Sequence, residues 1–270
     1  MIEELRKSRK KTKYQKKVLK LAMYAGEIML TSGGEIYRVE KTINKICKSC
    51  GVEYVNTFVT PTGIFAAIDN GDSDDILHSY IFRIHSIDTD LNKVYLVNKF
   101  AWEFTTSDMT VEDGIKTLHK INQKNVYSAS SRIIAAAFVA ALFSLTAGGT
   151  LSDSIIAFFV GALSYSIYRL LNRYKVNFFI CSMCCIAIAT LFALIFACII
   201  PNASYSTIVI GAMVLFVPGV ALVNSIRDFL SGDMSSGLAR LAEVALTGIS
   251  LAVGAGTMLK IWLYFGGIIS

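Results

Sequence analysis

One segment of this chain has a composition that a soluble fold does not need and a lipid bilayer does. Residues 176–226 form a run of 51 residues that contains no Lys, Arg, Asp, Glu or His. Pro201-Asn202 divides the run into two apolar stretches, and each is about as long as a helix that crosses ~30 Å of hydrocarbon. The run therefore predicts two membrane-spanning helices.

Charged residues are concentrated in the first half of the chain. Residues 1–131 hold 19 of the 26 Lys and Arg, 16 of the 20 Asp and Glu, and all three His. The net charge of +6 divides evenly between the halves, so it does not point to a nucleic-acid partner. We expect a water-compatible first half and a second half that lies in a lipid bilayer.

Apolar runs predict five spans in the second half of the chain. The connections between spans one and two and between spans three and four contain no Lys or Arg, whereas the other connections are basic. The positive-inside rule then places the N-terminus in the cytoplasm, and the odd number of spans places the C-terminus outside. The predicted spans are 132–149, 152–171, 177–200, 205–226 and 238–264.

The first half predicts a small cytoplasmic α+β domain over residues 21–131. Residues 1–20 are rich in Lys and Arg and are expected to form a flexible arm, on the anionic inner leaflet or in solution. Two helices separated at Ser32-Gly33-Gly34 come first, and Thr110 with Asp113 predicts a later helix start. With no apolar segment near the N-terminus, we expect no signal peptide and reduced cysteines. Strands are predicted at 52–59, 63–69 and 79–85, and the last two helices at 91–104 and 111–122.

The fourth predicted span is interrupted by Pro218-Gly219. Proline cannot donate a backbone hydrogen bond and clashes with the carbonyl four residues earlier, so carbonyl groups are freed inside the span. A simple kink is one interpretation. The other is a broken helix that lines a transport pathway, where a cavity or other protein groups satisfy the freed carbonyls.

A dense polar segment follows the broken span. Because a charge at the membrane centre costs roughly 2.5–3.5 kcal/mol, we expect these charges to be paired. Arg227 or Arg240 can hold a substrate carboxylate, and a neighbouring carboxylate can relay a proton, although a solvated loop with local ion pairs is the alternative. The candidate pathway residues are Pro218, Gly219, Asn224, Ser225, Arg227, Asp228, Gly232, Asp233, Ser236, Arg240 and Glu243.

Other chemistry is poorly supported by the sequence. Cys47 and Cys50 form a single CxxC without a second pair, and the four cysteines of span three have no His or carboxylate beside them. There is no P-loop and no GxSxG motif. We therefore expect no metal, no cofactor and no enzymatic activity. Gly248, Ala252 and Gly256 share one face of span five, which favours close packing within the chain or against a partner subunit.

Three motifs resemble those of the threonine/serine exporter family. They are SGGEIYRVEKTINKIC from Ser32, FVTPTGI from Phe58, and PGVALVNSIRDFLSGDMSSGLARLAEVAL from Pro218. The resemblance implies a bacterial inner-membrane exporter of small hydrophilic metabolites that is driven by an ion gradient. The first two motifs add Glu35, Tyr37, Arg38, Glu40, Thr60, Pro61, Thr62 and Gly63 to the candidate site residues.

The number of spans sets a limit to this resemblance. Full-length members carry about ten spans, and this sequence predicts five. The resemblance therefore implies the split form, in which a second small multi-span subunit completes the exporter, or a homo-oligomer. It implies a small-molecule substrate, either threonine and serine or a dicarboxylate such as succinate. The alternatives are a membrane-tethered hydrolase and a metabolite sensor, each acting through the cytoplasmic domain.

Overall fold

The chain folds into two compact units of residues that lie close in space. The computed structural model describes residues 2–52, 54–69, 78–124 and 127–266, with the backbone alone for residues 2–9 and 69. The first, here the N-terminal unit, combines residues up to 124 with residues 220–241. The second, here the helical unit, combines residues 125–219 with residues from 242 onwards.

The N-terminal unit confirms the predicted mixture of helices and a small sheet. Two helices precede three strands, and two helices follow them, as the sequence predicts. Thr110 caps the last of these helices by accepting a hydrogen bond from the Asp113 N–H at 3.2 Å, which confirms the predicted cap. The elements are α1 (Ile2–Thr31), α2 (Ile36–Ser49), β1 (Tyr54–Thr60), β2 (Gly63–Asp69), β3 (His78–Arg83), α3 (Leu91–Thr106) and α4 (Val111–Gln123).

The basic N-terminal segment is helical, which corrects the expected flexible arm. It forms the first part of α1, which continues to Thr31 without a break. Lys, Arg, Glu and Leu are good helix formers, and the buried side chains of Gln15 and Val18 begin the contact of α1 with the core. Within the described side chains, lysines occupy much of the exposed side at Lys10, Lys11, Lys13, Lys16, Lys17 and Lys20.

The three strands form one antiparallel sheet in the order β1-β2-β3. Thr60 pairs with Gly63, so Pro61 and Thr62 form a two-residue turn between the two predicted strands. One face, with Val59 and Ile64, is buried in the core with α1 and α2. The opposite face exposes a cross-strand row of Phe58, Phe65 and Ile81.

The remaining helices are long and apolar. Helices α9 and α10 each contribute residues to both units. The boundaries between the units lie inside these two helices, at residues 219/220 and 241/242. These helices are α5 (Ala129–Thr146), α6 (Leu151–Arg173), α7 (Phe178–Ile199), α8 (Tyr205–Met213, continued by a 3-10 turn at Val214–Phe216), α9 (Gly219–Leu230) and α10 (Met234–Tyr264).

Four of these helices, rather than five, are continuous candidates for membrane spans. Helices α5, α6, α7 and α10 are each long and apolar enough to cross a bilayer. The predicted span 205–226 is broken at Pro218-Gly219, as the sequence predicts, into α8 with its 3-10 turn and α9, which count as a fifth candidate span only if taken together. The cause is Pro218, which forces the preceding Val217 out of the helical region to φ −71° and ψ 123°. The described helices thus provide four candidate spans, or five with the bent pair.

Close packing in the last helix uses a different glycine from those expected. A Cβ on Gly254 would lie 2.4 Å from the carbonyl oxygen of Met183, so only glycine permits this approach of α10 to α7. By contrast, nothing lies within 4 Å of a Cβ built on Gly248 or Gly256, and Ala252 is exposed. The predicted small-residue face is therefore open rather than packed within the chain.

A buried carboxylate joins two connections of the helical unit. Asp153, on the first turn of α6, accepts the N–H of Thr150 and the N–H of Ser204, each at 2.8 Å. The first bond completes a capping box at the start of α6, and the second lies at the start of α8. Because both helix N-termini carry partial positive charge, one carboxylate stabilises both. Sequence reasoning did not single out Asp153.

We expect Asp153→Asn to destabilise the fold by about 1–3 kcal/mol, because charged hydrogen bonds to two helix starts are weakened. Thermal unfolding of the full chain in detergent measures this change. Ser152→Ala, at the exposed neighbouring position, is the matched control and should leave the unfolding temperature unchanged. Equal stability of the two variants would contradict the role given to Asp153.

Candidate functional site

The first and third motifs, almost 200 residues apart in sequence, contact each other in the N-terminal unit. The loop between α1 and α2 presents two glycine carbonyl groups. Asn224 donates its side-chain amide to the Gly33 carbonyl at 2.9 Å, and Arg240 donates to the Gly34 carbonyl at 3.1 Å. These bonds hold the loop against α9 and α10. We call this loop with its α9 and α10 partners the polar cluster.

Glu35 provides the carboxylate at the end of this loop and is shared by two arginines. Its side chain is only 7% exposed and forms an ion pair with Arg227. Arg38, one helical turn later, lies 3.1 Å away from the other carboxylate oxygen. The two arginine side chains are 52% and 44% exposed, respectively. A buried anion thus lies between two cations that both reach the surface.

A second ion pair of the cluster is completely enclosed. Arg240 Nε lies 3.2 Å from Asp228 Oδ2, with side-chain exposures of 3% and 0%. The Asp228 carboxylate also interacts with the backbone N–H of Ile36. Because Ile36 begins α2, the carboxylate lies at the partly positive end of that helix. Asp228 and Arg240 therefore connect α9, α10 and the start of α2.

The second motif reaches the same region through Glu40. The Glu40 carboxylate accepts the backbone N–H of Val59 at 2.9 Å, next to the β1-β2 turn. Burial raises the pKa of Glu40, the Val59 hydrogen bond opposes this shift, and the negative charge of Asp233 adds to it. Asp233 lies between α9 and α10. All three motifs thus contribute residues around the α9–α10 turn.

The other predicted site residues divide between interior and surface. Ser225 and Ser236 are buried, and Gly232 forms the α9–α10 turn with φ +92°. Exposed or partly exposed positions are Tyr37, Thr60, Pro61, Thr62, Gly219 and Glu243, while Gly63 is buried in the hairpin and Pro218 lies at the helix break. The structure therefore brings Asn224, Ser225, Arg227, Asp228, Asp233 and Arg240 together with Glu35, Arg38 and Glu40.

The segment from α9 into α10 has its polar side inward and its apolar side outward. The buried residues of α9 are Asn224, Ser225 and Asp228. Most of its apolar side chains are exposed, although Phe229 is partly buried, and Met234 and Leu238 at the start of α10 are exposed as well. A soluble protein shows the reverse arrangement, whereas an outer apolar face suits contact with hydrocarbon or an apolar partner. The exposed apolar residues of α9 are Leu222, Val223, Ile226 and Leu230, and Arg227 is the exposed charged residue of this helix.

Sequence reasoning found the charged members of the cluster but not their partners. Glu35 and Arg38 are both candidate residues from the first motif, but sequence reasoning did not anticipate the contact of Glu35 with Arg227. It also missed Gly33 and Gly34 as acceptors. The signal for them is the end of α1, because a helix C-terminus followed by two glycines leaves carbonyl groups without helical partners.

Metal and thiol chemistry has little support in the described part of the chain. No group of three or more His, Cys, Asp and Glu side chains is placed there to hold a metal ion. All six cysteines are free thiols. Burial raises the pKa of Cys47 to about 12, so the Cys47 thiol is protonated at neutral pH and is a weak nucleophile.

The comparisons with known proteins agree with this arrangement of motifs. Residues 20–262 match a family described as "Putative threonine/serine exporter". The chain belongs to this family. A "Probable threonine/serine exporter" of Mycobacterium tuberculosis (strain ATCC 25618 / H37Rv) is 24% identical over 243 residues, which are 89% of this chain and 45% of that protein. This chain thus spans about half of the mycobacterial relative.

A second relative has nearly the same length as this chain. The "Probable succinate transporter subunit YjjP" of Escherichia coli (strain K12) is 23% identical over 261 residues, which are 93% of this chain and 97% of that protein. No solved structure matches this chain significantly. Together with its apolar helices, the family places the chain among integral membrane transport proteins.

We expect Asp228→Asn and Arg240→Gln each to cost about 3–5 kcal/mol, because each leaves one buried charge without its counter-charge. The double variant should lose less than the sum of the two single losses, since it removes both charges together. Unfolding of the full chain in detergent gives the three values. Glu243→Gln, at an exposed carboxylate of the same segment, is the control. Additive losses would contradict direct coupling.

We expect Glu40 to make stability depend on pH. Its pKa in the fold lies above the ordinary value of 4.5, so its stabilising contribution is fully present below pH 4.5 and is lost as the pH rises through the raised value. Glu40→Gln keeps an acceptor for the Val59 N–H but cannot ionise. The variant should therefore exceed wild type in unfolding temperature at neutral pH, and this gain should shrink towards pH 4.5. A gain that is independent of pH would contradict the proposed titration.

Proposed function

We propose that this chain is a subunit of a secondary-active exporter of small hydrophilic metabolites in the bacterial inner membrane. The observation that carries the proposal is the polar cluster, in which family motifs place paired arginines and carboxylates behind an apolar outer surface. Membership of the exporter family supports the reaction class. The names of the two relatives suggest threonine and serine, or succinate, as substrates to test first.

The two arginines of the α9–α10 segment have different roles in this proposal. Arg240 is enclosed with Asp228, so it holds the cluster together. Arg227 is half exposed, and its partner Glu35 is also paired with Arg38. A substrate carboxylate can therefore replace Glu35 at Arg227 while Glu35 keeps one counter-charge. Arginine suits this exchange because its guanidinium binds a carboxylate with two parallel hydrogen bonds.

Coupling to an ion gradient is assigned to the carboxylates beside this position. Glu40 is partly buried, and the negative charge of Asp233 acts on it, so protonation of one carboxylate relieves the repulsion between them. Asp228 is less suited to this role because Arg240 encloses it. We propose that Asp233 and Glu40 take up the coupling proton, and that the remaining candidate residues line the pathway.

A second subunit completes the pathway in this proposal. Only 17% of the α10 window is buried within the chain, against 28–44% for the other three continuous candidate spans. Its open Gly248, Ala252 and Gly256 face permits close approach of another helix. The relative of matching length is named as a subunit, and the mycobacterial relative is about twice as long as the matched region. The partner is a second small multi-span protein, or another copy of this chain.

The proposed topology follows the distribution of basic residues. The N-terminal unit lies in the cytoplasm, and the C-terminus lies outside. The polar cluster then serves as the cytoplasmic entrance for the substrate. Cysteine labelling of the Gly149 and Asn202 connections with an impermeant reagent, in a chain without other reactive cysteines, tests this topology by requiring access from outside the cell.

Efflux from preloaded cells tests the function. Cells that lack their own exporters are loaded with labelled threonine, serine and succinate, and they express this chain alone or with its neighbouring small membrane protein. Efflux only with the partner supports the split exporter, and efflux from the chain alone supports a homo-oligomer. Absence of efflux for all three substrates, with both proteins in the membrane, would contradict these substrate assignments.

We expect Arg227→Gln to lower the efflux rate about tenfold or more, because it removes a charged contact worth roughly 1.5–3 kcal/mol to the bound carboxylate. Initial rates at equal protein abundance in the membrane measure the effect. Arg83→Gln, at an exposed arginine outside the cluster, is the matched control and should export at the wild-type rate. Full activity of Arg227→Gln would remove Arg227 from the pathway.

A further inference from the structure

Helix α3 of the N-terminal unit exposes large side chains that its own core does not use. Leu91 is 57% exposed, Tyr95 63% and Trp102 61%. The opposite side of the same helix is apolar and packs into the core. The three exposed residues are therefore not needed for that packing. The buried residues of α3 are Val94, Val97, Phe100, Ala101 and Phe104.

The exposed positions of α3 form one narrow stripe. At 100° per residue, they fall within an arc of about 100° along the helix. Half of them carry a large apolar or aromatic side chain, and none carries an acidic one. Lys99 is the charged member, and it forms an ion pair with Glu103 at 3.6 Å. The stripe consists of Leu91, Tyr95, Asn98, Lys99, Trp102 and Thr106.

Helix α4, which is the neighbour of α3, does not share this exposure. It packs on the same core through Val111, Leu118 and Ile121. Its fully exposed positions from Glu112 to Lys120 are nevertheless all charged or polar: Glu112, Asp113, Lys116, His119 and Lys120. Two neighbouring helices of one core thus present opposite kinds of outer surface.

We propose that the exposed stripe of α3 lies in the headgroup region of the lipid bilayer. The chain's own membrane helices keep the N-terminal unit close to a bilayer, so contact carries little additional entropic cost. Tryptophan and tyrosine are enriched at the membrane–water boundary. There the apolar ring contacts the lipid chains, and the N–H or O–H group contacts water and headgroups. A lysine at the edge of such a face can extend its ammonium group to lipid phosphates.

The chemistry of the stripe favours lipid over other occupants. An interfacial helix combines an apolar face of Trp, Phe or Leu with basic residues beside it, and it avoids acidic residues on that face. The stripe has this composition, with Leu91, Tyr95 and Trp102 at the centre and Lys99 at one edge. This inference requires only that the chain is an integral membrane protein, so it does not depend on the exporter proposal.

Tryptophan fluorescence tests this contact directly, because the chain contains only Trp102 and Trp262. In Trp262→Phe, Trp102 is the only tryptophan. The full chain is reconstituted into phosphatidylcholine vesicles with or without bromine atoms near the top of the acyl chains, and iodide serves as the aqueous quencher. We expect emission at shorter wavelength than in exposed tryptophan, strong quenching by the brominated lipid, and protection from iodide.

The matched control moves the tryptophan to the charged surface of α4. Lys116→Trp in the Trp102→Phe, Trp262→Phe background should be quenched by iodide and not by brominated lipid. Tyr95→Trp in the same background repeats the test on the stripe if a variant at residue 102 folds poorly. Quenching of Trp102 like the α4 control would overturn the proposal. Protection from both quenchers would also overturn it, because it would mean that protein, rather than lipid, covers the stripe.

Discussion

The enclosed ion pair of Asp228 and Arg240 is the interaction on which the rest of the polar cluster depends. Neither charge is stable alone in an apolar setting, so each requires the other and fixes the start of α10 against α9. With Arg240 fixed, its Nη2 donates to the Gly34 carbonyl, and the Asp228 carboxylate meets the start of α2. A buried pair of this kind adds little net stability compared with apolar residues, but it selects one arrangement of helices.

The same constraint explains why two arginines of one motif differ in their surroundings. Arg240 satisfies its charge inside the protein, and moving it would leave Asp228 without a counter-charge. Arg227 lies at the edge of the cluster, where water reaches half of its side chain. Its partner Glu35 is also paired with Arg38. Breaking the Arg227 contact therefore does not leave the buried Glu35 carboxylate without a counter-charge. In the proposed function, this arrangement lets a ligand bind at Arg227 without loss of the fold.

Local chemistry predicted most of the elements, and its failures have specific causes. The bounds of β2 and the starts of α3 and α4 agree with the sequence because turns and caps lie within a few residues. The end of α1 near Gly33 agrees for the same reason. The interruption of the fourth span agrees with the sequence, because Pro218 acts on Val217 and one apolar run becomes two helices. The prediction of a flexible N-terminal arm was wrong because the high Lys content was interpreted as disorder rather than as the exposed side of a helix.

The site was only half predictable, because contacts between distant segments leave no periodic pattern in one sequence. The polar residues from Asn224 to Arg240 stood out by their density, but nothing in their spacing indicates that Glu35, Gly33 and Gly34 are the partners. A rule from membrane proteins narrows the search, since buried charges in apolar surroundings must find opposite charges or backbone groups. The third motif has more polar groups than it can pair within itself, and the first motif supplies a carboxylate and free carbonyl groups.

The two glycines of the first motif supply the backbone carbonyl groups that accept hydrogen bonds from the third motif. Gly33 has φ +84°, a conformation that other residues rarely adopt, and it turns the chain after α1. A Cβ on Gly34 would lie 2.7 Å from the Met29 carbonyl oxygen, so the loop has no space for a side chain there. The N–H groups of both glycines close the end of α1, which leaves their carbonyl groups for Asn224 and Arg240. Because any side chain at Gly34 would displace the carbonyl that Arg240 requires, the loop and the buried ion pair constrain each other.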